Sequence, residues 1–265
     1  MIRTASPFLF TVAAGLFAAG CSTTPMVNGT VVDCFGDPVE GARVQVEGFT
    51  EHAMTDAKGV FEVPAFTGKK RVQAGKDGYI LARDSYYIPE EEGKSSDPIK
   101  LHLYPDPEKP GFHLVNGDKY SELSTQMIDV VGTELHAYTG IKDHGEVTVK
   151  PKDRMRFIFS TTRSRAQIAH LGLELHKLEF VENTPVSGVL GEQSVKVNRF
   201  VATESQEFEL KELPSDDDWL IVTKKKLEPG IYAFHTEGLM TSKSVDALDK
   251  TPEELRQAYP FQIKE

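Results

Sequence analysis

Apolar and polar residues alternate over short runs along most of the chain, the two-residue period of a strand with one buried and one wet face. Over residues 42–48, Ala42, Val44 and Val46 alternate with Arg43, Gln45 and Glu47. Four more runs, VNGTVVD, GVFEVPAF, KRVQAGKDGYI and PIKLHLYP, complete a strand-rich segment over residues 27–105. Turn residues separate them at Gly36-Asp37-Pro38, 56–59, Asp77-Gly78 and 90–98. Strands at about ten-residue spacing with such punctuation predict a β-sandwich.

A proline-rich joint, residues 105–110, marks the expected boundary, and strand signals resume beyond it. They are GFHLVN, KYSELS, GEVTVK, RMRFIFS, LGLELHKLEF, SVKVNRFV, EFELKEL, DWLIVTKKK and GIYAFH. In LGLELHKLEF, Leu171, Leu173 and Leu175 hold one phase while Leu178 and Phe180 hold the other, which predicts a bulge near His176-Lys177. Residues 126–138 fit helix or strand. Two substrings, Pro110-Gly111-Phe112 and Pro229-Gly230-Ile231-Tyr232, each read as a turn entering an inward-facing aromatic strand. Thr251-Pro252-Glu253-Glu254 predicts a short C-terminal helix with an N-cap Thr, stopped by Pro260, and a final strand over 261–263. The expected fold is all-β: a first sandwich over 27–105, then a second β-rich, sandwich-like domain over 106–265 with a short C-terminal helix.

Three motifs in the first half carry a resemblance. The string GTVVDCFGDPVEGARVQVEG (29–48) resembles the opening of the carboxypeptidase regulatory-like domain. TDAKGVFEVP (55–64) is similar to its second signature, and Gly75-Lys76-Asp77-Gly78-Tyr79 to the segment that follows. The resemblance implies a seven-stranded, transthyretin-like Greek-key sandwich and a non-catalytic role, since that module accompanies a zinc carboxypeptidase domain. The zinc site of that partner begins H-x-x-E, and His176-Lys177-Leu178-Glu179 has those letters. On a strand His176 and Glu179 would face opposite ways. Residues 106–265 are also too few for the peptidase.

Residues 1–20 have the parts of an export signal: Arg3, a run of about a dozen apolar residues over 8–19, and Ala18-Ala19-Gly20 before Cys21. The run is shorter than the roughly 18–20 residues that span a bilayer. Small residues meeting a Cys resemble the bacterial lipobox, with Ala18 where that motif more often has Leu. The resemblance implies lipidation of Cys21, a tether over 21–26 and, because Ser22 and not Asp follows, outer-membrane sorting. An ordinary cleaved signal is the alternative. A lipid on Cys21 would leave Cys34 without a disulfide partner, as a small buried hydrophobe.

Composition excludes several classes. At 39% hydrophobic and 26% charged, the 265 residues are neither disordered nor polytopic. Thirty basic against 40 acidic residues give −10, which argues against a nucleic-acid partner. Residues 142–165 reverse the sign, and within them Lys150, Lys152, Arg154 and Arg156 alternate. On a continuous strand they would line one face, either meeting an anionic partner or simply facing solvent. Asp216-Asp217-Asp218 and Glu90-Glu91-Glu92 read as solvated loops. No nucleophile–base, P-loop, H-E-x-x-H or C-x-x-C pattern appears, so the expectation is no catalytic residue, no metal and no cofactor.

The sequence therefore predicts a non-enzymatic envelope lipoprotein, bound to the membrane through Cys21 and facing the periplasm or cell surface. Its partner would be an envelope protein or a glycan. Two alternatives stand beside it: a periplasmic enzyme or accessory subunit acting on peptide or glycan, and a structural lipoprotein of a secretion or envelope assembly.

Overall fold

The structure is a computed structural model, and it describes residues 26–89, 98–133, 136–188, 191–215, 217–240, 248 and 250–265. Cys21, the export-signal residues and Glu90-Glu91-Glu92 lie outside the described residues.

Two four-stranded sheets make the first sandwich. The strands are β1 (Met26–Asp33), β2 (Arg43–Val46), β3 (His52–Met54), β4 (Val60–Pro64), β5 (Gly68–Gly75), β6 (Tyr79–Ile80), β7 (Ala82–Ile88) and β8 (Ile99–Pro105). One sheet has the order β4-β1-β8-β6 and the other β3-β2-β5-β7. β6 and β7 are one run interrupted at Leu81, pairing first with β8 and then with β5, so the chain passes there from one sheet to the other. Seven strands were expected; the eighth is half of this crossing strand. The alternation seen in sequence is the burial pattern: Val27, Val31, Val44, Val46, Phe61, Val63, Leu101 and Leu103 fill the space between the sheets. Gly59 sits at φ +73, where a Cβ would strike the Val31 carbonyl, which explains the glycine in the turn before β4.

The remaining strands are β9 (Gly111–Asn116), β10 (Lys119–Glu122), β11 (Gln126–Met127), β12 (Asp129–Thr133), β13 (His136–Gly140), β14 (Thr148–Val149), β15 (Arg156–Ser160), β16 (Leu173–Gly188), β17 (Gly191–Ser205), β18 (Phe208–Glu212), β19 (Asp218–Thr223), β20 (Gly230–Thr236) and β21 (Gln257–Ile263). They form a five-stranded sheet, β10-β9-β15-β19-β18, facing a second sheet, β11-β21-β20-β16-β17, in which β14 also pairs β21. The ambiguous residues 126–138 supply β11, β12 and the start of β13, and β12 pairs antiparallel with β13. The two Pro-Gly strands, β9 and β20, belong to opposing sheets, and Phe112 stacks on Phe234 between them at 4.8 Å. They join Phe157, Phe261, Leu175 and Tyr232 in one core. The expected bulge is present: the β16–β17 register shifts between His176 and Leu178. It moves the chain from one core to another, Leu175 lying in the inter-sheet cluster and Leu178 in a cluster on the sheet's outer face.

The C-terminal helix is shorter than expected. A single 3-10 turn, Glu253–Leu255, stands in its place, and its N-cap is Pro252, not Thr251. Residues 258–263 pair with β20 instead, a longer ladder than the predicted final strand. Pro260 is tolerated because β11 pairs only residues 257 and 258 of β21 and β14 only 262 and 263, leaving the middle of that edge open. A regular helix, α1 (Arg165–Leu171), lies elsewhere, started by a capping box between Ser164 and Gln167. No helix among the described residues is long and apolar enough to cross a membrane.

Candidate functional site: a cleft and a buried His–His–Glu group

α1, the start of β9, the end of β15 and β21 leave a cleft of about 360 Å³ at one end of the second sandwich. Its aromatic wall is built from the core outward. Phe112, buried by the β9 alternation, stacks on Phe159 at 4.3 Å and tilts against Tyr259 at 4.5 Å. Phe159 and Tyr259 are half-buried, and the Tyr259 hydroxyl donates to Gln257 Oε1 at 3.1 Å. Burial pushes the Tyr259 hydroxyl pKa up. Polar side chains ring the opening: Glu122, Thr125 and Glu254 are exposed, and Arg163 is half-buried. The size suits a small ligand, and the mixture of flat apolar faces and hydrogen-bonding groups suits one with both kinds of surface.

Behind that cleft, on the other face of the same sheet, lies a second group. Leu173, Leu175 and Phe234 point toward the inter-sheet core, so Glu174, His176 and His235 point away from it. β16 and β20 pair with Glu174 opposite His235, and His176 opposite Ala233. His235 contributes to the cleft wall, but its side chain is fully covered, so the ring belongs to the outer-face group. His176 Nδ1 lies 3.0 Å from His235 Nε2, and the rings are stacked at 5.0 Å. His235 Nδ1 is 2.8 Å from the Thr236 carbonyl, which can only accept. His235 therefore carries its proton on Nδ1, its Nε2 presents a lone pair, and the His176 Nδ1–H donates to it. Burial lowers both pKa values, that of His235 to about 4, against which the Thr236 carbonyl and Glu174 pull upward. Both rings are neutral at pH 7.

Sequence reasoning missed this group. The H-x-x-E letters are separated as expected, His176 being buried and Glu179 exposed. The readable half of the group was Glu174-Leu175-His176, two polar residues two apart on an apolar strand. What the sequence could not supply was the register that sets His235 across from Glu174.

The basic stripe does not form. β14 ends at Val149, and Pro151, which has no N–H for a ladder, lies between it and β15. The four side chains disperse. Lys150 is exposed, and Lys152 donates to the Val115 carbonyl at 3.3 Å. Arg154 bonds the Thr223 carbonyl and Glu209, and Arg156 donates to the Cys34 carbonyl at 2.9 Å. Asp218 is another correction: it is buried at the start of β19, not solvated, and its Oδ1 has no partner. Cys34 is buried as expected, its thiol 3.8 Å from the Tyr120 hydroxyl, and burial pushes the thiol pKa up to about 11.

No curated protein matches the chain. Among solved structures it is similar to a DUF3823 family protein from Parabacteroides merdae at 9% identity and TM-score 0.25, over 91% of this chain and 98% of that one. It is also similar to BcpA, the major pilin subunit of Bacillus cereus, at 10% identity and TM-score 0.25, over 91% of this chain and 69% of that one. Likenesses at that score carry no argument. The first sandwich is different: β1 to β7, the interrupted strand and the Gly59 turn all fall in the segment whose motifs resemble a known module. Residues 26–96 match the family model of the carboxypeptidase regulatory-like domain, a non-catalytic fold.

Proposed function

We propose that this protein is a non-enzymatic, lipid-anchored module of the cell envelope that binds a short glycan in the cleft of its second sandwich. The observation that carries the reading is the cleft's lining. Phe159 and Tyr259 offer ring faces of the kind on which sugar C–H surfaces stack, and Glu122, Thr125, Arg163 and Glu254 offer partners for hydroxyl groups.

The arrangement of the chain supports the anchored reading. From Cys21 to Met26 the backbone reaches at most roughly 17 Å, which would hold the first sandwich near the bilayer. β1 runs from Met26 to Asp33, roughly 25 Å away at strand spacing, and Asp33 adjoins the Cys34 carbonyl held by Arg156. The second sandwich and its cleft therefore sit at the end of the first sandwich remote from the tether. With Arg3 removed alongside residues 1–20, the net charge moves from −10 to −11, which disfavours lying on an anionic surface.

Two measurements test it. A palmitate analogue should label the wild-type protein and not Cys21→Ser; equal labelling would remove the anchor from the reading. Mature protein should bind envelope-derived di- and trisaccharides without altering them. Arg163→Ala combined with Glu122→Gln should weaken binding by roughly tenfold, about 1.4 kcal/mol. Failure to bind any member of such a panel would remove the glycan. Hydrolysis of one would favour the second reading, a periplasmic enzyme.

A further inference from the structure

We propose that Glu174, His176 and His235 form a binding site for one divalent transition-metal ion, with zinc the ion their donor set suits. Imidazole nitrogen and carboxylate oxygen are the donors zinc takes, commonly as three protein ligands with a fourth position left to water. Among the described residues this is the one place where three such groups converge.

The distances favour an ion over a hydrogen-bonded triad. Glu174 Oε2 is 4.0 Å from His176 Nδ1 and 3.8 Å from His235 Nδ1, too far to accept from either ring. The His235 Nδ1–H is in any case committed to Thr236. Without an ion the two neutral rings offer the carboxylate only electrostatic attraction. Donors around a tetrahedral zinc stand roughly 3.3 Å apart; slight opening of the 3.0 Å His176–His235 pair and closure of Glu174 from 4.0 Å on His176 Nδ1 reach that spacing, with the carboxylate turning from the Nδ1 side of His235 toward its Nε2. In that state His176 passes to its Nε2–H tautomer, the proton moving from Nδ1 to Nε2 by way of solvent, and the ion takes the freed Nδ1 lone pair.

The ligands are also oriented from behind. Thr236 fixes His235 with Nε2 facing inward, and the Gly238 N–H donates to Glu174 Oε2 at 3.1 Å. Bonds of this kind aim metal ligands and set ring tautomers. The Glu174 side chain keeps 27% of its surface exposed, which gives an ion a way in and water the fourth position. The site joins β16 to β20 beside the His176/Leu178 bulge, where the β16–β17 ladder is interrupted. It would pin β16 to β20 beside one of the two register shifts of the β16–β17 ladder. The cleft lies on the opposite face, so this inference does not rest on glycan binding, and either can fail alone.

The test uses untagged mature protein, freed of metal by a chelator and then titrated with zinc alone. One ion should bind per chain and the melting temperature should rise. Cobalt should give the intense visible absorption of a tetrahedral site. Glu174→Gln, which can still accept from Gly238, should keep its melting temperature in chelator and bind zinc at least about tenfold more weakly. His176→Gln should do the same. If either variant misfolds, the wild-type stoichiometry and cobalt spectrum decide. Wild-type zinc binding no tighter than that of folded Glu174→Gln, or a cobalt spectrum identical to the free ion's, would overturn the site and leave a buried histidine pair.

Discussion

Arg156 Nη2 donates to the backbone carbonyl of Cys34 at 2.9 Å, joining residues 122 apart in sequence and belonging to different sandwiches. Around this bond, Ile80 and Tyr104 from the first sandwich pack with Ile158, Leu213 and Leu220 from the second. The Tyr120 hydroxyl donates to the Pro105 carbonyl at 3.0 Å, and the Phe35 and Tyr120 rings meet edge-on. The two sandwiches therefore share a small core of their own. Arg156→Ala removes a charge-assisted bond and leaves a partly buried carbonyl without its donor, which costs about 1.5–3 kcal/mol. Arg156→Lys should not restore the loss, because a single ammonium cannot reproduce the planar guanidinium. Urea denaturation followed by circular dichroism should show the lower midpoint in both variants, and an unchanged midpoint would mean that the apolar contacts alone hold the joint.

Cys34 gives that joint a chemical reporter. Burial raises its thiol to about pH 11, with Asp33 adding to the rise and Tyr120 and Arg156 only partly opposing it. A thiol normally near 8.5 is then almost wholly protonated at pH 8, and its thiolate fraction falls by about two orders of magnitude. In a mature chain carrying Cys21→Ser, alkylation of Cys34 at pH 8 should be at least about a hundredfold slower in buffer than in denaturant. Arg156→Ala should speed it by opening the covering contact. Equal rates in buffer and denaturant would show the thiol to be exposed.

How much of this could be read from the chain differs sharply between the two sandwiches. In the first, nearly every apolar residue of an alternating run is a core residue, and its turn glycines sit where their motifs require. Only β3 and β7 went unread, His52–Met54 because it is three residues long, and Ala82–Ile88 because its burial breaks period. In the second, strand existence was legible and strand use was not. Alternation implied a continuous strand for Lys150 to Arg156, and Pro151 ended it. A cap pattern implied a helix at Thr251, and pairing with β20 claimed the residues first. The helix α1 had its signal in plain view, Ser164 and Gln167 three apart before the apolar Ile168. The His–His–Glu group depends on a cross-strand register 59 residues apart, which no local pattern encodes.

Gly29 is required by close approach, not by backbone conformation. It lies in β1 between β4 and β8, and a Cβ there would overlap the Ile99 carbonyl and come 2.7 Å from the Phe61 ring. Ile99 belongs to the parallel partner strand, so relief would have to come from the backbone of a central ladder. Gly29→Ala should cost about 3 kcal/mol or more, beyond the usual range for overpacking, because no flexible side chain can yield. Thermal unfolding of the isolated variant measures it. A loss below about 1 kcal/mol would show that β1 and β8 can separate cheaply.

Thr55 opens the second motif of the first sandwich, and its hydroxyl does two things in a buried place. Oγ1 accepts from the Ala42 N–H at 2.8 Å and donates to the Val39 carbonyl at 2.6 Å, tying the start of β2 to the turn before β4. The residue is 4% exposed, so water cannot replace either bond. Thr55→Val keeps the shape and removes both partners at once, stranding a backbone donor and a backbone acceptor. That should cost about 2–4 kcal/mol, whereas Thr55→Ser, which keeps the hydroxyl and loses one methyl, should cost about 1 kcal/mol. Chemical denaturation of the two variants should therefore rank valine well below serine. If the order reverses, the methyl group's packing and not the hydroxyl is what holds this turn, and the polar tie between Ala42 and Val39 contributes little.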